Sequence, residues 1–161
     1  VGEGPFPTEQ DNPTGERIRK QGNEFGTVTG RPRRCGWFDA VAARYSARIN
    51  GATEVAVMLL DVLSGLPELK VAVAYEDTQG RRVDSMPATL AGLAGCRPVY
   101  ETLPGWTDDL RPCRTWDELP EAARAYVQFL SRQLGVRVSI VSVGPDRDAT
   151  IAVPDDGGEA S

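Results

Sequence analysis

Four short apolar runs, at residues 55–60, 69–75, 97–103 and 136–143, most limit what this chain can fold into. Each has the length of a strand and is bounded by turn-forming residues. The run at 55–60 is continuous and leads into Asp61, which reads as a buried strand with a carboxylate at its end. In 69–75, Leu69, Val71, Val73 and Tyr75 alternate with Lys70, Ala72 and Ala74. The run at 97–103 is expected to stop at Pro104-Gly105, and residues 150–153 form a last short strand. Two stretches between these runs follow a helical period instead. Phe38, Val41, Ala42, Tyr45 and Ile49 share a face of 37–49, which Asn50-Gly51 would close. Ala123, Tyr126, Val127, Leu130 and Leu134 do the same for 119–134, with Pro120 suited to the first turn and Gly135 to the stop. Strands alternating with helices predict an α/β fold, a mixed sheet with flanking helices. This pattern does not give the strand order.

The remaining segments say less. Residues 1–24 are rich in Gly, Pro, Asn, Asp and Glu. Pro5-Phe6-Pro7 and Asn12-Pro13 read as turns that break any helix, leaving a short helical turn at 17–22. Gly80 marks a turn, 81–96 carries no strong signal, and 107–117 is a polar loop. The acidic, glycine-rich tail at 154–161 is expected to be disordered.

Composition removes several function classes. With 161 residues and 40% hydrophobic content, the chain can bury a core. Its 18 basic and 23 acidic residues give a net charge of −5, against the basic excess of a general nucleic-acid binder. No run approaches the roughly 18 apolar residues of a membrane span. Cys35, Cys96 and Cys113 are odd in number and without a CxxC pair, which argues against a zinc site or a disulfide framework and for a reducing cytoplasm. The chain has no histidine, so it contains no histidine base, nucleophile or metal ligand. Val1-Gly2-Glu3-Gly4-Pro5 reads as neither a signal nor a transit peptide, and a start at valine leads us to expect part of a longer protein.

The chemistry is concentrated at 24–39. Here Thr27 and Thr29 supply hydroxyls, Gly26 and Gly30 allow close backbone approach, and Arg31, Arg33 and Arg34 crowd three cations into four residues. A guanidinium fork matches a carboxylate or phosphate at two points, so the cluster suits an anion with several oxygens. A helix expected to start near Gly36 would aim its positive end at the same place. From the residues alone, a solvated basic loop is equally open. From the residues alone, Asp61, an aspartate closing a strand, reads first as a turn former. Ser142-Val143-Gly144-Pro145 reads first as a strand-to-turn signal. Trp37 and Trp106 read as packing residues.

Several of these segments together resemble the adenylosuccinate synthetases. Val1-Gly2-Glu3-Gly4-Pro5-Phe6-Pro7-Thr8-Glu9, Glu24-Phe25-Gly26, Thr29-Gly30-Arg31-Pro32-Arg33-Arg34 with Cys35-Gly36-Trp37, Leu60-Asp61-Val62-Leu63, Leu103-Pro104-Gly105-Trp106 and Ser142-Val143-Gly144-Pro145-Asp146-Arg147 fall in the family's order. The match covers residues 1–153 and corresponds to the C-terminal part of a longer synthetase, with that part's fold. The resemblance implies a GTP-dependent, carbon–nitrogen-bond-forming ligase of purine biosynthesis. GTP phosphorylates the 6-oxygen of IMP, and the amine of L-aspartate displaces that phosphate. Thr27, Val28, Thr29, Gly30, Arg31, Pro32 and Arg33 would bind aspartate, with Arg31 and Arg33 catalytic. Arg31 and Val1 would reach IMP. Arg33, Leu59, Leu60, Asp61, Ser142, Val143, Gly144 and Pro145 would contact GTP. The Mg²⁺ ligands, phosphate loop, aspartate base and histidine acid would lie in the N-terminal part, so the chain alone is expected to be inactive. The resemblance also implies a cytoplasmic homodimer. Two positions depart from the family: Leu59 replaces its usual lysine, and Glu3 a small residue. A purine-nucleotide-binding relic without activity, or an arginine-loop module for an acidic partner, are the other readings of these residues.

Overall fold

The structure, a computed structural model, describes residues 3–155. In chain order the elements are α1 (Pro13–Gln21), β1 (Phe38–Asp39), α2 (Ala40–Ile49), β2 (Glu54–Val57), β3 (Leu66–Glu76), β4 (Arg82–Val83), α3 (Leu90–Ala94), β5 (Arg97–Trp106), α4 (Glu121–Leu134), β6 (Arg137–Ser142) and β7 (Thr150–Ala152). Short 3-10 turns lie at Leu60–Leu63, Trp116–Glu118 and Arg147–Ala149. The result is the expected α/β architecture with mixed sheets. It forms two compact units, Val1–Ser46 with Glu68–Leu103 and Ala47–Pro67 with Pro104–Ser161.

The first unit is organised around β3. This strand pairs in parallel with β1, Phe38 opposite Val71, and antiparallel with β4, Tyr75 opposite Val83. It also pairs with β5. Val71, Ala72, Val73, Ala74 and Tyr75 are all buried. Side chains alternate across a strand, so unbroken burial means both faces are covered. Val41, Tyr75 and Leu93 form a core cluster against which Met86 and Cys96 pack. Tyr75 is buried with its hydroxyl satisfied, donating to Asp39 Oδ2 at 2.6 Å. Asp39 Oδ1 in turn accepts from Ala42 N–H at 3.0 Å, fixing the first turn of α2.

The second unit carries a sheet in the order β2-β6-β7. β2 and β6 run parallel, Glu54 opposite Arg137 and Val57 opposite Val141, with a register shift between Val55 and Ala56. β7 returns antiparallel, Val141 opposite Ile151. Helix α4 buries Ala123, Tyr126, Val127, Phe129, Leu130 and Leu134, while Val138, Val141 and Ile151 supply the buried side of the sheet. Its other residues stay open: Ala56, Met58, Ile140 and Ala152 are exposed, Met58 at 59%. Trp106 is a packing residue, as expected. It lies edge-on to Tyr126 at 5.9 Å and donates from its indole N–H to Ser64 Oγ at 3.1 Å.

Several boundaries correct the sequence reading. Asn12-Pro13 starts a helix: the Asn12 side chain accepts from Thr14 N–H and Gly15 N–H, and Pro13 occupies the first turn, where no amide donor is needed. Helix α2 begins at Ala40, four residues later than the Gly36 start expected, with β1 in between. Its positive end therefore does not adjoin the arginine cluster in sequence. β2 stops at Val57, and Asp61 sits in the following 3-10 turn instead of closing a strand. β5 runs through Pro104-Gly105 to Trp106. The glycine is required there, because a Cβ on Gly105 would lie 1.9 Å from the Leu66 carbonyl oxygen. Residues 81–96 hold β4 and α3, both too short to leave a periodic signal. Pro154 and Asp155, placed with the tail by sequence, are described, and Asp155 pairs with Arg137 at 2.9 Å. The tail from 156 on lies outside the described residues, and so does Val1. No described helix is long and apolar enough to cross a membrane.

Candidate functional site

In the first unit, the arginine loop is a closed turn. Gly26 N–H donates to Arg31 O and Gly30 N–H to Gly26 O, both at 2.8 Å. Phe25 pairs across the turn with Pro32, and Arg33 N–H donates to Glu24 O at 3.0 Å. Gly30 sits at φ +64°, a conformation that favours glycine. Thr27, Val28, Thr29, Gly30, Arg31, Pro32 and Arg33 are all exposed, and Val28 at the tip is 97% exposed. Thr29 Oγ1 accepts from Arg31 N–H at 3.3 Å. An open cleft of about 390 Å³ is lined by Glu3, Gly26, Thr29 and all three arginines, Arg31, Arg33 and Arg34.

The three cations differ in their partners. Arg34 forms a two-point pair with Glu9, Nε to Oε1 at 2.7 Å and Nη2 to Oε2 at 2.5 Å. Arg33 Nη1 bonds Glu24 Oε2 at 2.9 Å, and the Arg33 carbonyl accepts from Arg19 Nε at 2.7 Å. The Arg31 side chain has no carboxylate partner among the described residues, and it faces the cleft. Arg31 is thus the cation most available to an anion, and Arg33 comes second, since it would have to share with Glu24. The sequence reading treated the arginines alike and gave Glu9 and Glu24 no part. Spacing carries no such signal, because Glu9 meets Arg34 across 25 positions.

The predicted purine residues gather in the second unit. β2 and β6 lie side by side, so Leu59, two residues past β2, meets Ser142, the last residue of β6: Leu59 N–H donates to Ser142 Oγ at 2.7 Å. Ser142 is buried. Leu59 adopts a left-handed backbone, φ 58°, which turns the chain into Leu60–Leu63. Leu60 is buried and Asp61 half-buried. Asp61 Oδ1 is shielded from solvent and makes no hydrogen bond. Burial pushes the Asp61 carboxyl above its ordinary value, opposed by its own N–H, by the Arg111 charge and by Val62 N–H. A buried acceptor without a donor is costly, and such groups usually mark where something else binds. Val143 and Gly144 are buried, Val143 N–H bonding Ala149 O at 2.9 Å, and Pro145 is exposed at the turn.

Among the described residues no group of three or more His, Cys, Asp or Glu is placed to hold a metal ion.

This is an α/β protein with an exposed arginine facing a cleft in one unit and, in the other, a shielded carboxylate oxygen without a hydrogen bond two residues past Leu59. The chain belongs to the adenylosuccinate synthetase family, whose family model matches residues 1–151. It is 54% identical over 155 residues to the adenylosuccinate synthetase of Desulforudis audaxviator (strain MP104C), covering 96% of this chain and 36% of that one. The same enzyme of Bifidobacterium longum subsp. infantis is 51% identical over 153 residues, covering 95% of this chain and 36% of its own. The structure of fully ligated adenylosuccinate synthetase from Plasmodium falciparum superposes with a TM-score of 0.90 at 36% identity, over 96% of this chain and 37% of that one. The chain thus spans about a third of the length of these relatives.

Proposed function

We propose that this chain supplies the aspartate loop and the guanine-binding elements of an enzyme that uses GTP to join IMP and L-aspartate into adenylosuccinate. Catalysis would need the part of the relatives' length that this chain does not span, and Mg²⁺ would be held there to neutralise phosphate charge. Arg31 and the loop 27–33 would bind the aspartate carboxylates, with Arg31 and Val1 also reaching IMP. Arg33, sharing with Glu24, would stabilise charge on transferred phosphate oxygens without giving up a proton. Leu59, Leu60 and Asp61 with Ser142, Val143, Gly144 and Pro145 would enclose guanine. The complete protein would be a cytoplasmic homodimer.

The observation that carries this reading is the shielded Asp61 oxygen without a donor, in the turn that follows Leu59, itself bonded to Ser142. Guanine N1–H and its amine are the donor pair such a carboxylate accepts. The test uses a chimera in which this chain replaces the matching segment of the Desulforudis audaxviator synthetase. The chimera is expected to form adenylosuccinate with GTP, more slowly with ITP, which lacks the exocyclic amine, and poorly with ATP. In Asp61→Asn the ratio of GTP to ITP rates should fall about tenfold, as one charge-assisted bond is lost. An unchanged ratio would mean that guanine is read elsewhere.

The departures at Leu59 and Glu3 favour a second reading, a nucleotide-binding relic. It expects the chimera to bind GTP without turnover. The pairing of Arg34 with Glu9 and of Arg33 with Glu24 weighs against an acidic-partner module, since it leaves Arg31 as the main available charge.

A further inference from the structure

Arg34 is the most heavily engaged of the three loop arginines, and it reaches upstream to Glu9, Gly4 and Phe6. Its guanidinium makes the two-point pair with Glu9, and its remaining nitrogen, Nη1, donates to the Gly4 carbonyl at 2.7 Å. The same group lies 5.3 Å from the centroid of the Phe6 ring. Beneath it, residues 8–10 and 35–37 form a short antiparallel ribbon. Gln10 N–H donates to Cys35 O at 2.9 Å, Trp37 N–H to Thr8 O at 3.1 Å, and Glu9 pairs with Gly36. The ribbon is tight: a Cβ on Gly36 would lie 2.4 Å from the Thr8 carbonyl oxygen. The ribbon fixes residues 8–10, Glu9 N–H donates to the Phe6 carbonyl at 3.0 Å, and Arg34 adds a hold on Gly4 and on the Phe6 ring. Glu3, the next residue upstream, lines the same cleft as Arg31 and Arg34. Arg34 holds the Glu9 carboxyl below its ordinary value, so the pair stays charged across the neutral range.

We infer that Arg34 and Glu9 are positioning residues that set the spacing between the segment at 3–7 and the arginine loop, and so couple the two substrates bound at that cleft. The inference rests on the proposed assignment of IMP to Val1 and Arg31 and of aspartate to the loop. Glu9 does not line the cleft, and Arg34, which does, has its guanidinium committed to Glu9 and Gly4. Each acts through the wall it holds, and loosening the pair weakens both substrates together while leaving guanine recognition, built on Asp61 in the other unit, untouched.

The test is a double-mutant cycle in the chimera, with Arg34→Leu, Glu9→Gln and both. Initial rates are measured against IMP, aspartate and GTP, and thermal unfolding is measured alongside. Arg34→Leu is expected to raise KM for IMP and for aspartate in parallel, each about tenfold as charge-assisted contacts allow, with kcat within about threefold. The ratio of GTP to ITP rates should not change. Glu9→Gln keeps the shape of the pair with less charge and should give the same pattern more weakly. The double variant should be no worse than Arg34→Leu, since both remove one interaction. Arg34→Lys cannot make the fork and should fail to restore either KM. A KM change in one substrate only, additive effects in the cycle, or a fall in kcat that follows a lower unfolding temperature would overturn the inference. A parent chimera that makes no adenylosuccinate would instead count against the proposed function itself, which keeps the two failures apart.

Discussion

At the residue scale, Asp61 sets function against stability. Its carboxyl is raised by burial in the folded chain. The folded state then binds this proton more tightly than the unfolded chain does. The group's contribution to stability therefore falls as pH climbs from the unfolded value of about 3.9 through the raised folded value. Asp61→Asn removes that loss. Without nucleotide, the variant is expected to unfold at a higher temperature than its parent near pH 7, with the difference closing at about pH 3. Thermal scans at both pH values check this, and a variant less stable at neutral pH would mean that Asp61 has a partner in the full protein. Arg31 is the complementary case, an exposed cation whose side chain has no carboxylate partner among the described residues. Arg31→Leu should leave the unfolding temperature unchanged and weaken aspartate binding by about 1.5–3 kcal/mol, the range of a hydrogen bond to a charged group. Titrating aspartate against parent and variant chimeras separates this from a folding defect.

At the element scale, long periodic segments were legible and short or exceptional ones were not. Helix α4 and strand β3 follow the apolar pattern closely, because each buries side chains along its whole length. Helix α1 was missed because Asn-Pro breaks a helix in its interior yet caps and opens one at its start. β5 was cut short because Pro-Gly usually ends a strand, and nothing local reveals that Gly105 lies against the Leu66 carbonyl. The same limit applied at the site. The purine residues were found as motifs, but the bond from Leu59 to Ser142 spans 83 positions and had to be seen in three dimensions. Gly105→Ala tests the strand directly. Forcing a methyl into that contact should cost about 1–3 kcal/mol of unfolding free energy in the chimera, read by denaturant titration. An unaltered midpoint would show that β3 and β5 can separate there at no cost.

At the scale of the whole molecule, the second unit's sheet is covered on one side by α4 and open on the other at Ala56, Met58, Ile140 and Ala152. Parallel strands are nearly always covered on both faces, and β2 ends the sheet among the described residues, with backbone groups free to pair. The isolated chain is expected to self-associate at micromolar concentration. Met58→Glu with Ile140→Lys should keep it dispersed in light scattering and sedimentation, and association unaffected by the pair would place the contact elsewhere. The parallel pairing of β2 with β6 also has a consequence in time. Glu54 and its partner Arg137 are 83 residues apart. A ribosome adds about 5–20 residues per second, so β2 emerges roughly 4–17 s before the strand it must pair with. During synthesis that strand has no native neighbour in this chain, and its hold on a wrong one must be weak enough to break when β6 arrives.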